Sequence, residues 1–117
     1  HAISYYFTSK HNINHGHAVA LTLGKVYEYN YLKAMHSNEE HKELFVNLNL
    51  LFQIKENPKE DIEKFIFDLN IEIDYSKLNI NIEEEIPRIV KEVNIERLRN
   101  NPFKFEEGDI EKLILNK

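Results

Sequence analysis

Apolar residues recur at three- and four-residue intervals along almost the whole chain, and few residues break the rhythm. Only three glycines and three prolines stand among 117 residues, too few for the frequent turns of a β-sandwich or barrel. The period is that of helices laying one face against a core. The expected fold is therefore all-α, a compact bundle of five to seven helices forming one domain over residues 1–117. Hydrophobic residues make up 42% of the chain, enough for one ordinary core.

Helix boundaries follow from caps and breakers. Ile3, Tyr6 and Phe7 share a helical face, so residues 1–9 read as the end of a helix, and Lys10 to Asn14 as a polar turn. Asn14 is placed to cap a second helix from His15 to about Asn30, carrying Ala18, Leu21, Val26 and Tyr29 and almost uncharged before Lys25. Such a helix is expected to be buried on most sides. Ser37 and Glu40 have capping-box spacing and open a third helix through Leu44, Phe45, Leu48 and Leu51 to about Ile54. Pro58 suits the first turn of a fourth, with Ile62, Phe65, Ile66 and Leu69. Residues 70–81 read equally as a short strand, from the alternation of Ile71, Ile73 and Tyr75, or as a loop. Glu83 to Val93 is a fifth helix, in which Pro87 is tolerable only within the first turn. A short turn from Ile95 to Arg99 precedes Asn100-Asn101-Pro102, and Gly108-Asp109 leads into a last helix to about Asn116.

The chain has no cysteine, which excludes a disulfide framework and a zinc–thiolate site. No apolar run is long enough to span a membrane, and no secretory signal pattern is present, so a cytoplasmic location is expected. Residues 1–38 hold Lys10, Lys25 and Lys33 against Glu28 alone, whereas the remainder holds twelve basic and nineteen acidic residues. An acidic body without a basic stripe argues against nucleic-acid binding. Glu83, Glu84 and Glu85 are consecutive on a helix and diverge, so they read as a negative first turn favourable to the helix dipole and not as an ion site. No P-loop, dinucleotide fingerprint or nucleophile elbow is present.

Four of the six histidines fall in the first twenty residues: His1, His11, His15 and His17. His1 and His15 are fourteen residues apart, late on one helix and at the start of the next, and a short turn between two helices can bring them together. Neutral imidazole is a common ligand of iron and zinc; two histidines can equally line a buried polar pocket. A copper site built on an N-terminal histidine would require an exported, processed chain, for which nothing else here speaks.

The stretch HAISYYFTSKHNINHGHAVALTLGKVYEYN resembles the metal-binding segment of the iron-containing alcohol dehydrogenases. In that family a histidine late in one helix is followed fourteen residues on by the histidine of a "PHG" turn, and an alanine-rich helix then runs to an asparagine. The matching residues are His1, then Asn14-His15-Gly16, then Ala18 to Asn30. Asn100-Asn101-Pro102, an acidic stretch and a short last helix resemble the way these enzymes end. The form of the first segment looks closest to phosphonoacetaldehyde reductase-like members.

The resemblance implies a metal-binding helical domain of the dehydroquinate synthase-like fold, joined in the complete enzyme to an N-terminal α/β domain that binds NAD(P). It implies a divalent metal, Fe²⁺ or Zn²⁺, with an aspartate and a histidine from an earlier helix and His1 and His15 as the later two ligands. The earlier pair and the nucleotide domain have no counterpart in these residues, so the chain is expected to be a C-terminal piece that is catalytically inactive and binds metal weakly alone. The implied partners are a small alcohol or aldehyde, the nucleotide-binding domain and a further copy in a homo-oligomer. Dehydroquinate synthase and glycerol dehydrogenases share the architecture but space their histidines more widely. A helical interaction fragment without catalysis is the remaining alternative.

Other residues take supporting or substrate-side roles. Tyr5 lies one turn after His1 on the same face and is a candidate pocket wall, or a core ring. His11, in the turn, is either solvated or faces the substrate cleft. His17 points away from His15, since residues two apart on a helix diverge, and is expected to support the site and not to ligate. His36 and His41 read as surface residues. Gly16 is expected to permit close backbone approach, and Gly24 close helix packing.

Overall fold

The computed structural model describes residues 1–117 as seven helices without a strand: α1 (Ser4–His11), α2 (His15–Met35), α3 (Glu39–Leu51), α4 (Pro58–Asp68), α5 (Ile82–Glu92), α6 (Ile95–Leu98) and α7 (Asp109–Leu115). α2 is the spine, packing against α1, α3, α4 and α7. Its small residues let neighbours approach on several sides: Ala18, Ala20, Gly24 and Ala34 are all buried. At Gly24 the approach is closest. A Cβ there would stand 3.1 Å from the Lys59 carbonyl oxygen on α4, a backbone atom that cannot swing aside. A Cβ at Gly16 would meet nothing within 4 Å, so that glycine is not required by close approach.

The core gathers Ile3, Tyr6 and Phe7 of the first segment, Ala18 and Leu21 of α2, Ile80, the Ile86-Ile89-Val93 stripe of α5 and Ile114 of α7. Phe7 is fully buried and stacks on Tyr75, ring centroids 5.8 Å apart. That contact, with Ile80, draws residues 70–81 onto the core as a series of turns and excludes the strand reading. Asn70 and Asn79 take left-handed backbone there (φ 60° and 57°), which asparagine tolerates.

Several boundaries differ from the sequence expectation, each for a local reason. α1 runs on to His11, and Asn12 ends it in left-handed conformation (φ 52°). α2 runs one turn past Asn30 because Ala34 is buried. The third helix opens one residue late. Asn38, not Ser37, accepts the backbone N–H of His41, at 2.9 Å, while the Ser37 hydroxyl sits 2.9 Å from His41 Nδ1. That helix stops at Leu51 and not at Ile54. His41 is also less of a surface residue than expected, half-buried with its ring edge on Phe103. Pro87 lies inside α5, beyond the first turn. Its ring is exposed, opposite the isoleucine stripe, so the carbonyl left without a donor is on the wet side.

Lys25 is the unexpected member of the interior. It is 8% exposed, and its Nζ donates to the Tyr75 hydroxyl (2.9 Å) and to the Ile114 carbonyl (3.0 Å). One ammonium thus ties α2 to the 70–81 turns and closes a carbonyl at the end of α7. Burial pushes Lys25 down to about 8, against a partly restoring pull from Glu63. A lysine whose folded value lies below its unfolded one penalises the fold while charged, and the penalty is relieved as pH rises above the folded value. Relative to Lys25→Met, the native chain is expected to gain roughly 1–2 kcal/mol of stability between pH 8 and 9.5, measured by urea denaturation. Above pH 10 burial of Tyr75, which raises its phenol, works in the opposite direction as the unfolded phenol ionises.

Candidate metal centre

The turn between α1 and α2 is three residues long, and its backbone decides where His15 stands. After left-handed Asn12 the chain passes Asn14 at φ −54° and ψ 141°. That φ is within the range proline imposes, so the asparagine reproduces the geometry of a proline at this position. It does so without the side-chain cap expected of it: only its carbonyl enters the helix, accepting from Ala18 N–H at 2.9 Å. On the other side, His1 is held by its carbonyl, which accepts from the buried Ser4 hydroxyl (2.8 Å) and from Tyr5 N–H (3.3 Å).

These constraints bring the two imidazoles together. The ring centroids of His1 and His15 are 5.1 Å apart, and both residues are exposed. Two imidazoles that share one ion at the usual metal–nitrogen distance of about 2 Å have ring centres roughly 5 Å apart. The His1–His15 separation is of that size. No group of three or more histidine, cysteine, aspartate or glutamate side chains converges anywhere in the chain.

Tyr5 joins the pair as a wall, its ring stacked on His15 at 5.5 Å. The Arg97 guanidinium lies over the same ring, 4.4 Å from its centroid. Nothing in the sequence marked Arg97, since α6 and α1 meet only in the fold. His11 and His17 are placed elsewhere. His11 Nε2 is 2.6 Å from Glu85 Oε2, which also accepts from the Tyr6 hydroxyl at 2.8 Å, so His11, half-buried, fastens α1 to α5. His17 Nε2 is 2.5 Å from the Glu72 carbonyl and anchors α2 to the 70–81 turns.

Beside the pair is a cavity of about 410 Å³ whose walls include His1, Tyr5, Arg97, Asn100, Asn101 and Pro102. His15 touches two of these rings but is not itself in the lining. The Asn-Asn-Pro part of the lining is fastened by a reciprocal amide pair. Buried Asn30 donates to Asn101 Oδ1 (2.8 Å), and Asn101 donates to Asn30 Oδ1 (2.7 Å) and to the Phe103 carbonyl (2.6 Å). The asparagine that follows the alanine-rich stretch thus holds the Asn-Asn-Pro turn in place. Tyr29 secures the next stretch, stacking on Phe105 at 4.5 Å with its hydroxyl 2.8 Å from the Lys104 carbonyl and from Asp109 Oδ2. Asn30→Leu is expected to cost about 1–3 kcal/mol by leaving the Asn101 amide without its partner. It should also raise amide hydrogen exchange in residues 99–105 ahead of α1.

Over residues 1–117 the sequence matches the model of the Fe-containing alcohol dehydrogenase family, C-terminal. No curated protein and no solved structure gives a significant match. The all-helical architecture of seven helices without a strand agrees with that match. The chain belongs to the Fe-containing alcohol dehydrogenase family, in its C-terminal domain.

Proposed function

We propose that the chain is the metal-holding part of an NAD(P)-dependent alcohol dehydrogenase or aldehyde reductase, with His1 and His15 as two ligands of a divalent metal, Fe²⁺ or Zn²⁺. The observation that carries this reading is the 5.1 Å approach of two exposed imidazoles from different helices, in a chain matched throughout by the family's C-terminal domain. When bound, the metal supplies Lewis-acid polarisation of a carbonyl oxygen, and the nicotinamide supplies the hydride. The chain's own residues hold and shape. His1 and His15 are fixed by the Ser4 contact and the Asn12–Asn14 turn. Tyr5 limits rotation of the His15 ring by stacking on it. The Asn-Asn-Pro wall encloses a cavity of the size that takes a small alcohol or aldehyde.

The remaining metal donors come, on this reading, from outside these residues: an aspartate and a histidine in the family's pattern, in a protein that also supplies the NAD(P)-binding domain. The fourteen-residue spacing favours an alcohol dehydrogenase over a dehydroquinate synthase or glycerol dehydrogenase. The family description does not divide its members by substrate, so the proposal does not rest on the phosphonoacetaldehyde reductase-like subtype.

A second reading, association without catalysis, draws on the surface of α3 and α4. Leu50, Leu51, Phe52, Phe65, Phe67 and Leu69 are each more than half exposed, a set of large apolar side chains that favours contact with another domain or a second copy. No helix is long and apolar enough to cross a membrane.

The test is aldehyde-dependent oxidation of NAD(P)H by a protein in which this chain is joined to its nucleotide-binding domain, with Fe²⁺ or Zn²⁺ supplied. Turnover is expected there and not from residues 1–117 alone. His15→Ala is expected to lower kcat/KM by about a thousandfold or more, the scale on which loss of an essential polarising group is felt. A His15→Ala enzyme reducing aldehydes at the native rate would overturn the proposal.

A further inference from the structure

Lys25 is a buried amine for which the metal centre has no use. It is 8% exposed, and none of the chain's ion pairs includes it. Its two hydrogen-bond partners are neutral oxygens, the Tyr75 hydroxyl at 2.9 Å and the Ile114 carbonyl at 3.0 Å. An ammonium brings three N–H donors to those two acceptors. A neutral amine brings two and keeps a lone pair, so the number of acceptors suits the neutral form. Burial favours the same form and pushes Lys25 down to about 8; from α4, Glu63 opposes the shift and Lys59 adds to it. Near neutral pH the fraction of Lys25 that is neutral is then on the order of a hundredfold above that of a lysine in water.

A neutral amine with an uncommitted lone pair is a nucleophile, and a buried one selects electrophiles that are small and uncharged. Lys25 lines a cavity of about 270 Å³ together with Lys59, Lys112 and Lys117. The acids in that lining are Glu28 and Asp109, and Asp109 is already engaged by the Tyr29 hydroxyl and the Glu106 N–H. Cations thus outnumber uncommitted carboxylates there, which suits a product that carries negative charge. A second cavity that Lys25 lines, of about 550 Å³, holds Glu63, Glu72, Asp74 and Glu83 and would repel one. We propose that Lys25 is a carbon dioxide site, at which the amine forms a carbamate on the side of the smaller cavity. The Nζ lone pair bonds to the carbon of CO₂, one C=O electron pair moves onto oxygen, and one N–H proton leaves to water. R–NH₂ and CO₂ thereby give R–NH–COO⁻ and H⁺, with no oxidant or reductant. The single N–H that remains serves the Ile114 carbonyl. The Tyr75 hydroxyl, no longer an acceptor for the amine, donates its own proton to a carbamate oxygen. Lys59, whose charge already acts on Lys25, balances the new anion. The site is independent of the histidine pair and of the reaction proposed for it.

The test is chemical trapping in the intact 117-residue chain. The protein is equilibrated with ¹³C-bicarbonate at about pH 8 and treated with triethyloxonium ion, which turns each carbamate into a stable ethyl ester. The esters are then located by peptide mass spectrometry, with the α-amine of His1 resolved on its own peptide. Lys25 is expected to carry roughly ten times the ester of any other lysine, in keeping with its larger neutral fraction, and to lose that excess when the chain is unfolded in urea. At constant dissolved CO₂ the yield at Lys25 should rise through about pH 8, as the amine gives up its proton. Tyr75→Phe keeps the ring that stacks on Phe7 and removes only the hydroxyl, and Lys59→Gln removes the balancing cation; each should lower the yield at Lys25 several-fold. Ester at Lys25 no greater than at the surface lysines would overturn the inference. So would an excess that survives urea, or a yield unchanged in both variants.

Discussion

The reversal of the chain between α1 and α2 is the constraint on which the rest of the site depends. Three residues turn the backbone, and two of them are asparagines for different reasons. Asn12 accepts a left-handed conformation that most side chains resist, and Asn14 takes the φ of a proline. The turn works because α1 has something to return to. Phe7 is fully buried between α2 and Tyr75, and Tyr6 is buried with its hydroxyl on Glu85. Burial of two aromatic side chains is worth several kcal/mol, enough to hold an eight-residue helix that would not persist alone in water. The proximity of His1 and His15 is a consequence of that packing.

The Asn-Asn-Pro wall of the cavity depends on a different kind of interaction. In α7 only Ile114 is fully buried, with Ile110, Leu113 and Leu115 partly buried against the core. Polar contacts reaching out from α2 hold this segment: the Lys25 ammonium on the Ile114 carbonyl, the Tyr29 hydroxyl beside Lys104 and Asp109, and the Asn30 amide on Asn101. Each spends a buried or half-buried polar group on a distant backbone or side chain, and every buried side-chain nitrogen and oxygen finds a partner. α2 therefore does two jobs at once. Its small residues admit α1 and α4, and its polar residues fix the C-terminal segment.

Much of this could be read from the sequence, because helical periodicity and turn chemistry are local. The number and order of the helices, the Pro58 start and the meeting of His1 with His15 follow from residues near one another in the chain, whereas Gly24 marks a close approach without naming its partner on α4. The features that could not be read are those that join distant segments. Arg97 meets Tyr5 across ninety residues, Glu85 meets His11, and Asn30 meets Asn101; no spacing rule links them. His11 and His17 illustrate the same limit, since histidines in a cluster are indistinguishable until the fold shows one on Glu85 and the other on the Glu72 carbonyl. Lys25 was unreadable for another reason. A single lysine in an apolar helix ordinarily reaches solvent, and this one stays inside because a phenol and a helix-end carbonyl are waiting for it.

The central claim is that the two imidazoles act as a pair on one metal ion. It is tested most directly by titrating the 117-residue chain with Zn²⁺ while following the histidine ring signals by NMR, with His15→Ala beside it. Weak binding is expected, as two ligands without a third should give, with His1 and His15 perturbed together at one ion per chain, His11 and His17 unmoved, and the joint effect lost in His15→Ala. Perturbation of His11 or His17 in place of the pair, or unchanged affinity in His15→Ala, would contradict it.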